Sequence, residues 1–522
     1  MPRSFCQLLP RLALLGKVAV LGACTTLGPD YERPEVNWLD RWHSSVPGLA
    51  HTQADKQVDL QFWWQAFNDP VLNQLIEKAH QANPSLLIAG LRILESRALL
   101  GIAGSNLYPQ VQQANGAVSY VNTQQRGGSL PDDSQSLASY QLGFNLSWEL
   151  DFWGRFKRGV ESADASFFAS IEDQQEIQVL VSAQVADLYF AYRTIQSRIG
   201  IARKNAAIQK RSYEITEKIF KSGGDSELDL QQAKTQYLVT LSTIPQLQIE
   251  LAKTRNALCA VLGRAPGDLP EMAGETNELP DIGSTALPDI PARLLLRRPD
   301  VRAAASQVAA QSAQIGIAES DFYPAIALLG NVAWSGTTLG ASPDIGSLAI
   351  GPAVRWNLFD HGRISNNVRL QDARLQQLIE SYQNTVLQAA REVDDAGVSV
   401  VKTVEQQALI LQSVDAAQRA LDIANTRYRE GYADFQRVLD AQRALFSQAE
   451  RQLINHGTYL SSVVSLYKGL GGGWQATPID QLIPEEIRKQ MEQRTDWGNL
   501  LTAPLPPGGV YPQQTSGASK HE

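Results

Sequence analysis

Three groups of residues in this sequence carry chemistry by their type and spacing. The first is Leu21-Gly22-Ala23-Cys24, preceded by Arg3, Arg11 and a short apolar run from Leu12. A basic start, an apolar stretch and small residues at its end form a secretory signal. Residues 1–23 are therefore read as a signal peptide. Leu21 to Cys24 reads as a lipobox, with Cys24 as the lipidated first residue of the mature chain. Acyl chains such as palmitate contribute about 0.8 kcal/mol per buried CH₂, so a multiply acylated cysteine anchors firmly. The second group is Asp415, Arg419 and Asp422, with Tyr428 close behind. Their i, i+4, i+7 spacing puts opposite charges on one helix face, where they can pair. The third group is the glycine turns at Gly223-Gly224 and Gly431, which punctuate helical patterns.

Signals for catalysis are weak. The six histidines show no metal-ligand spacing, and there is no HExxH. Gly469-Leu-Gly-Gly-Gly473 follows a helical pattern where a phosphate-cradling loop would follow a strand. Cys6, Cys24 and Cys259 form no disulfide framework, and Cys259 sits in an apolar run as a buried thiol. The sequence reads as a non-enzyme with no cofactor and no metal site. The net charge of -8 argues against a nucleic-acid partner, which needs a basic surface. Hydrophobic residues make up 43% of the 522, enough for a core. No later stretch approaches about 18 consecutive apolar residues, so any membrane crossing must use strands.

An internal repeat organises the chain. Gly101-Ile-Ala-Gly-Ser-Asn-Leu-Tyr-Pro109 matches Gly316-Ile-Ala-Glu-Ser-Asp-Phe-Tyr-Pro324 without a gap. Downstream, Trp148, Gly154 and Arg155 match Trp356, Gly362 and Arg363. Gly223 and Ala233 match Gly431 and Ala441, and Leu262-Gly263 matches Leu470-Gly471. The spacing shortens between Pro109 and Trp148, where the first copy carries a polar loop, Asn122 to Ser136. The organisation expected is a lipidated segment 24–83, a first repeat 84–263, a linker 264–298, a second repeat 299–471 and a tail 472–522.

Each copy predicts a helix of about 20 residues, two strands, a very long helix, a glycine turn and a return helix. Tyr140, Leu142, Phe144, Leu146, Trp148 and Leu150 alternate with Gln141, Gly143, Asn145, Ser147 and Glu149. Ile326, Leu328, Val332 and Trp334 share one face, as do Leu348, Ile350, Val354, Trp356 and Leu358. The strand near Val111–Asn122 alternates less cleanly. Strands of about 10–12 residues with such dyads suit an outer-membrane barrel. The long helices repeat at Ile177, Val181, Val185, Leu188, Tyr192, Ile195, Ile199 and at Ile379, Tyr382, Val386, Ala389, Val393, Ala396, Val400, Val404. The mean step of about 3.6 implies side-by-side packing with little supercoil. At 1.5 Å per residue each long helix spans about 100 Å, and Pro245 should kink the first return helix.

A membrane sheet must close, because unpaired backbone in lipid costs several kcal/mol per group. The smallest common barrels have eight strands. Four strands per chain therefore demand pooling with identical chains.

The motifs resemble those of lipoprotein outer-membrane efflux factors of the NodT and OprM type, relatives of TolC. They are Cys24-Thr-Thr-Leu-Gly-Pro-Asp-Tyr-Glu-Arg-Pro-Glu-Val36, Trp63-Trp64 through Phe67 and Asp69, and Trp148-Glu-Leu-Asp-Phe-Trp-Gly-Arg155. They continue with Leu296-Arg-Arg-Pro-Asp-Val301, Trp356-Asn-Leu-Phe-Asp-His-Gly-Arg363, Val438-Leu-Asp-Ala-Gln-Arg443 and Leu466-Tyr-Lys-Gly-Leu-Gly-Gly-Gly-Trp474. The resemblance implies a mainly α fold with a transmembrane β-barrel: a TolC-like homotrimer, four strands per chain completing twelve, and a long periplasmic helical barrel. It implies a location in the bacterial outer membrane, with contact to outer-membrane lipid. It also implies two protein partners, a periplasmic adaptor and an inner-membrane pump of the resistance-nodulation-division class.

By the same resemblance, Gly223, Asp225, Ser226 and Leu228, with Gly431, Asp434, Phe435 and Val438, form an adaptor-docking groove. Around a threefold axis Asp415, Arg419 and Asp422 become charged rings that, with Tyr428, would form a periplasmic gate, while the same spacing alone equally fits a solvated outer helix face. The rival reading is a structural lipoprotein whose coiled-coil hairpins tether envelope layers. The cargo (drug, metal, peptide or protein) is open.

Overall fold

The computed structural model describes residues 26–36, 60–125, 133–224, 226–273, 279–280, 292–337 and 345–506. The signal peptide, Cys24 and Asp225 lie outside the described residues. A 3-10 turn, Trp63–Phe67, is followed by two α-helices, α1 (Pro70–Ala82) and α2 (Pro84–Ser105). Asp69 and Asn83 cap them, each accepting two backbone N–H bonds ahead of a first-turn proline. Next come β1 (Val111–Gln125), β2 (Asp133–Leu150), α3 (Arg155–Lys221) and α4 (Glu227–Val261). The order then repeats as α5 (Pro299–Ser320), β3 (Ala325–Gly336), β4 (Ile345–Arg355), α6 (Arg363–Arg429) and α7 (Phe435–Gly469), followed by the short α8 (Ile479–Leu482) and α9 (Glu485–Arg494).

Both long helices have 67 residues, about 100 Å at 1.5 Å per residue. Both return helices have 35. Pro245 lies inside α4, which continues past it. Gly223 and Gly431 end the long helices in the left-handed region, at φ 80° and 78°. A side chain there is strained, which is why glycine stands at both reversals.

The four strands form one antiparallel sheet in the order β1-β2-β3-β4. β1 and β2 have 15 and 18 residues, longer than their alternation indicated. Their ladder pairs Asn122 with Ser136 and continues to Gln125 and Asp133. Backbone pairing there proceeds with no apolar face to announce it. Residues 126–132 lie outside the described residues.

The main core forms a collar around the middle of the helix bundle. Trp63, Trp64, Phe67, Leu72, Leu75 and Ile76 pack with Tyr189, Phe190, Tyr382, Val386, Val393, Val463 and Tyr467. Trp63 stacks on Tyr467 with ring centroids 5.4 Å apart. The Pro and Gly content of the tail suggests an exposed, partly ordered segment, but its described part, residues 472–506, contributes to a core. Ile479, Ile483, Met491 and Leu501 bury against Ile93, Leu94, Phe167 and Ile171. Arg97 holds the Ala503 and Pro504 carbonyls at 2.7 and 2.9 Å. These apolar residues fall in short, separated groups (Ile479, Leu482-Ile483, Met491, Leu500-Leu501) that follow no helical or strand period.

Candidate functional site

The sheet has two chemically distinct faces. Val118 lies opposite Tyr140, Leu142 opposite Trp334, Phe144 opposite Val332, and Val332 opposite Leu348. Residues paired across a ladder share a face, so the even-numbered positions of all four strands form one apolar surface. It is open: Val118, Tyr120, Leu348, Ile350 and Val354 are all exposed. An apolar surface this continuous needs a non-aqueous cover. Tyr140 to Trp148 covers about 26 Å of strand at about 3.3 Å per residue, close to the roughly 25 Å apolar band of outer-membrane barrels. Tyr120, Tyr140 and Trp334 mark one border and Trp148 and Trp356 the other. The lower pair is fixed identically in both copies, Trp148 donating its indole N–H to the Leu107 carbonyl and Trp356 donating to that of Phe322.

The odd-numbered face is polar. Asn145 donates to Asn115 at 3.1 Å and accepts from Asn331, forming an amide ladder across three strands. Near the helix end, Glu149 lies 3.8 Å from Arg355, and Arg155 lies 3.2 Å from Asp321. Small polar side chains line this face and leave room for water. Among the described residues no helix is long and apolar enough to cross a membrane, so the strands are the elements that suit lipid.

The segment after Cys24 docks where the sheet meets the helices. Leu27 donates its N–H to the Trp153 carbonyl at 3.2 Å. The almost fully buried Arg158 donates to the Leu27 and Gly28 carbonyls at 2.9 and 3.0 Å and to Asp30 at 2.9 Å. Gly28 meets the Gly316 backbone so closely that a Cβ would come within 2.5 Å of its Cα. Thr26, two residues after Cys24, therefore lies beside Gly154 at the lower border of the apolar band.

At the collar a polar network ties the two copies together. Glu172 on α3 accepts from Ser306 at 2.7 Å, with Arg302 of α5 at 3.8 Å. Burial raises the Glu172 carboxyl to about 7, against opposing contributions from Ser306 and Arg302. Glu176 is also raised to about 7, by burial and then by Asp300 and Asp173. Arg302 donates to Gln175 and packs over Trp474. Arg33 reaches the Tyr382 hydroxyl at 3.2 Å and the Leu296 carbonyl at 3.3 Å. Sequence reasoning singled out the Leu296–Val301 motif as a marker without seeing this joint. A run of Arg-Arg-Pro-Asp opening an otherwise alanine-rich helix is the signal that was there.

The tip residues divide into two kinds. Asp415 and Arg419 pair at 3.0 Å on an exposed face, while Asp422 accepts from Gln418 at 3.1 Å. The structure therefore brings the first two together and leaves Asp422 outside that pair. Such surface pairs contribute about 0–1 kcal/mol. Tyr428 instead packs on Phe435, ring centroids 5.3 Å apart. Phe435 and Val438 are buried with Ala233, Leu421 and Leu439. Ser226 caps α4, accepting from the Asp229 N–H at 3.2 Å and donating to its carboxylate at 2.6 Å. Asp434 accepts from the Arg437 N–H at 3.4 Å. Gly223 and Gly431 have open space where a Cβ would stand. Leu228 is exposed, and so is Tyr432 at 81%, a tip residue the sequence reading did not name. Its position directly after the turn glycine was the available clue.

The model of the outer membrane efflux protein family matches residues 75–264 and 290–472. The chain is 30% identical over 469 residues to a probable outer membrane lipoprotein, SilC, of Salmonella typhimurium, covering 89% of this chain and 99% of that protein. It is 32% identical over 484 residues to the cation efflux system protein CusC of Escherichia coli O6:H1, covering 90% and 100%. Its fold is similar to that of the outer-membrane channel OprN, with a TM-score of 0.77, 31% identity and coverage of 86% and 99%.

Proposed function

Because this chain belongs to the outer membrane efflux protein family, we propose that three copies pool their strands into one twelve-stranded barrel. The chain is an outer-membrane channel subunit of an efflux or export system. The observation carrying the pooling is the open four-stranded sheet, with one apolar face, one polar face and edges at β1 and β4; the number three follows from the family. A lone open sheet has unsatisfied backbone in lipid, and closure with other copies removes it. The polar face then lines water, and the hairpins of about 100 Å extend the tube into the periplasm. Cys24, acylated, anchors the chain in the membrane, and Thr26, two residues on in sequence, lies beside Gly154.

On this reading the duct is passive. An adaptor docks at the helix tip, and an inner-membrane pump of the resistance-nodulation-division class drives transport. The exposed Leu228 and Tyr432 offer the adaptor apolar contact. Gly223, Ser226, Gly431 and Asp434 hold the turns in shape, and Phe435 and Val438 support them from within. Asp415, Arg419 and Asp422, repeated around the threefold axis, act as a charged constriction closed at rest. Replacing all three with alanine is expected to raise the single-channel conductance of the trimer in planar bilayers several-fold. Unchanged conductance would remove the gate assignment.

A further inference from the structure

The duplicated sheet holds one internal junction and two half-junctions. At the internal one, β2 passes into α3 through Asp151, Phe152, Trp153 and Gly154. Trp153 stacks on Tyr323, ring centroids 4.6 Å apart and planes within 28°. Its indole N–H donates to the Pro324 carbonyl at 2.9 Å, and Arg155 pairs with Asp321 at 3.2 Å. The exit of the first copy's hairpin is thus clamped onto the entrance of the second.

The same parts recur unmatched at the outer strands. The second copy's exit follows β4, with His361 in the place of Trp153 and Arg363 in that of Arg155. The first copy's entrance precedes β1, with Tyr108, Pro109 and Asn106 in the places of Tyr323, Pro324 and Asp321. The two entrances are built alike. Asn106, Leu107 and Tyr108 donate backbone N–H bonds to Ala103, Gly104 and Ser105, just as Asp321, Phe322 and Tyr323 do to Ala318, Glu319 and Ser320. With Trp153 stacked on one side, Tyr323 is 41% exposed, whereas Tyr108, with no indole stacked on it among the described residues, is 69% exposed. At the matching exit, Leu358 and Phe359 are exposed, Phe359 at 92%.

We propose that these half-junctions close on each other between protomers, His361 of one chain covering Tyr108 of the partner subunit and Arg363 facing the partner's Asn106. The inference rests on the pooled-barrel reading, since β4 must lie beside the neighbouring β1. The second exit is an altered copy. Its capping aspartate sits one residue later, where Asp360 accepts the Ile364 N–H at 2.6 Å, and His361 takes a left-handed φ of 50°. Imidazole replaces indole and a neutral amide replaces a carboxylate, so the clamp between chains is weaker than the clamp within one.

The test uses the full lipidated chain in outer-membrane vesicles, with Cys259→Ser as background and a short bis-maleimide as cross-linker. The pair Tyr108→Cys with His361→Cys is expected to give covalent dimers and trimers on denaturing gels. The control pair Trp153→Cys with Tyr323→Cys should link within one chain and stay at monomer mass. Native mass measurement of the same samples separates the failures. An intact trimer without cross-linked species overturns the clamp alone. Absence of any oligomer overturns the pooled barrel, and the clamp with it.

Discussion

Arg298→Ala is expected to lower unfolding stability by about 1–3 kcal/mol, the cost of leaving a buried polar group without its hydrogen-bond partner. The Arg298 guanidinium is almost fully buried and touches three elements. It donates to Asp300 at 3.0 and 2.8 Å, to Glu392 of α6 at 3.1 Å and to the Gly469 carbonyl at the end of α7 at 2.6 Å. Its aliphatic stem fills the space beside Gly471, where a Cβ would come within 2.8 Å of the Arg298 Cγ. Truncation leaves the Gly469 carbonyl buried without its donor and a carboxylate pair without its cation. Arg298→Lys keeps the charge but loses the planar fork, so it should recover only part of the loss. Guanidinium unfolding followed by helical circular dichroism reads both variants. A midpoint equal to the parent's at unchanged m contradicts the assignment of Arg298 as the pin that holds α5, α6 and α7 together.

Glu172→Gln is expected to stabilise the protein at pH 8 and leave it little changed at pH 5. Glu172 is buried between α3 and α5, and its folded carboxyl titrates near 7 against an ordinary 4.5. Between those values the folded chain keeps a proton that the unfolded chain releases, so stability falls as pH rises. The contribution is fully present below about 4.5 and lost through about 7. A raise of this size corresponds to roughly 3 kcal/mol at full titration. Glu176, also raised to about 7, works in the same direction. Half-buried His80, lowered to about 4 by desolvation, works oppositely: its loss of stability comes as pH falls from 6.5. The difference between parent and Glu172→Gln removes the His80 contribution. That difference should grow from pH 5 to pH 8 in thermal unfolding. A constant difference would show that Glu172 is ionised throughout, held by Arg302.

The duplication made much of this molecule legible. Matching Gly101–Pro109 to Gly316–Pro324 placed the helix–strand corners, and Trp148 with Trp356 placed the lower ends of β2 and β4. Side-chain alternation marked β2, β3 and β4 because one face is greasy and the other small and polar. It faded in β1, where Gln112, Ala114 and Gly116 lie on the apolar face opposite Leu146, Phe144 and Leu142. A strand can borrow its partner's apolar character and show little of its own. The collar network was invisible for a different reason. Glu172 and Arg302 lie on helices and Arg298 just before one; such charges read in sequence as solvated, and only the meeting of α3, α5, α6 and α7 buries them. At the tip, periodicity cannot separate a docking residue from a packing one. Phe435 and Val438 support the turn, and Leu228 and Tyr432 stand outside it.

The central claim is that one chain supplies a third of a closed barrel. The native mass of the lipidated chain in lipid nanodiscs tests it most directly. One species at three chain masses is expected, with β-sheet circular dichroism that survives until the trimer dissociates. A stable, folded species at one chain mass would contradict it, because the four-stranded sheet would then stand in lipid with both edges open.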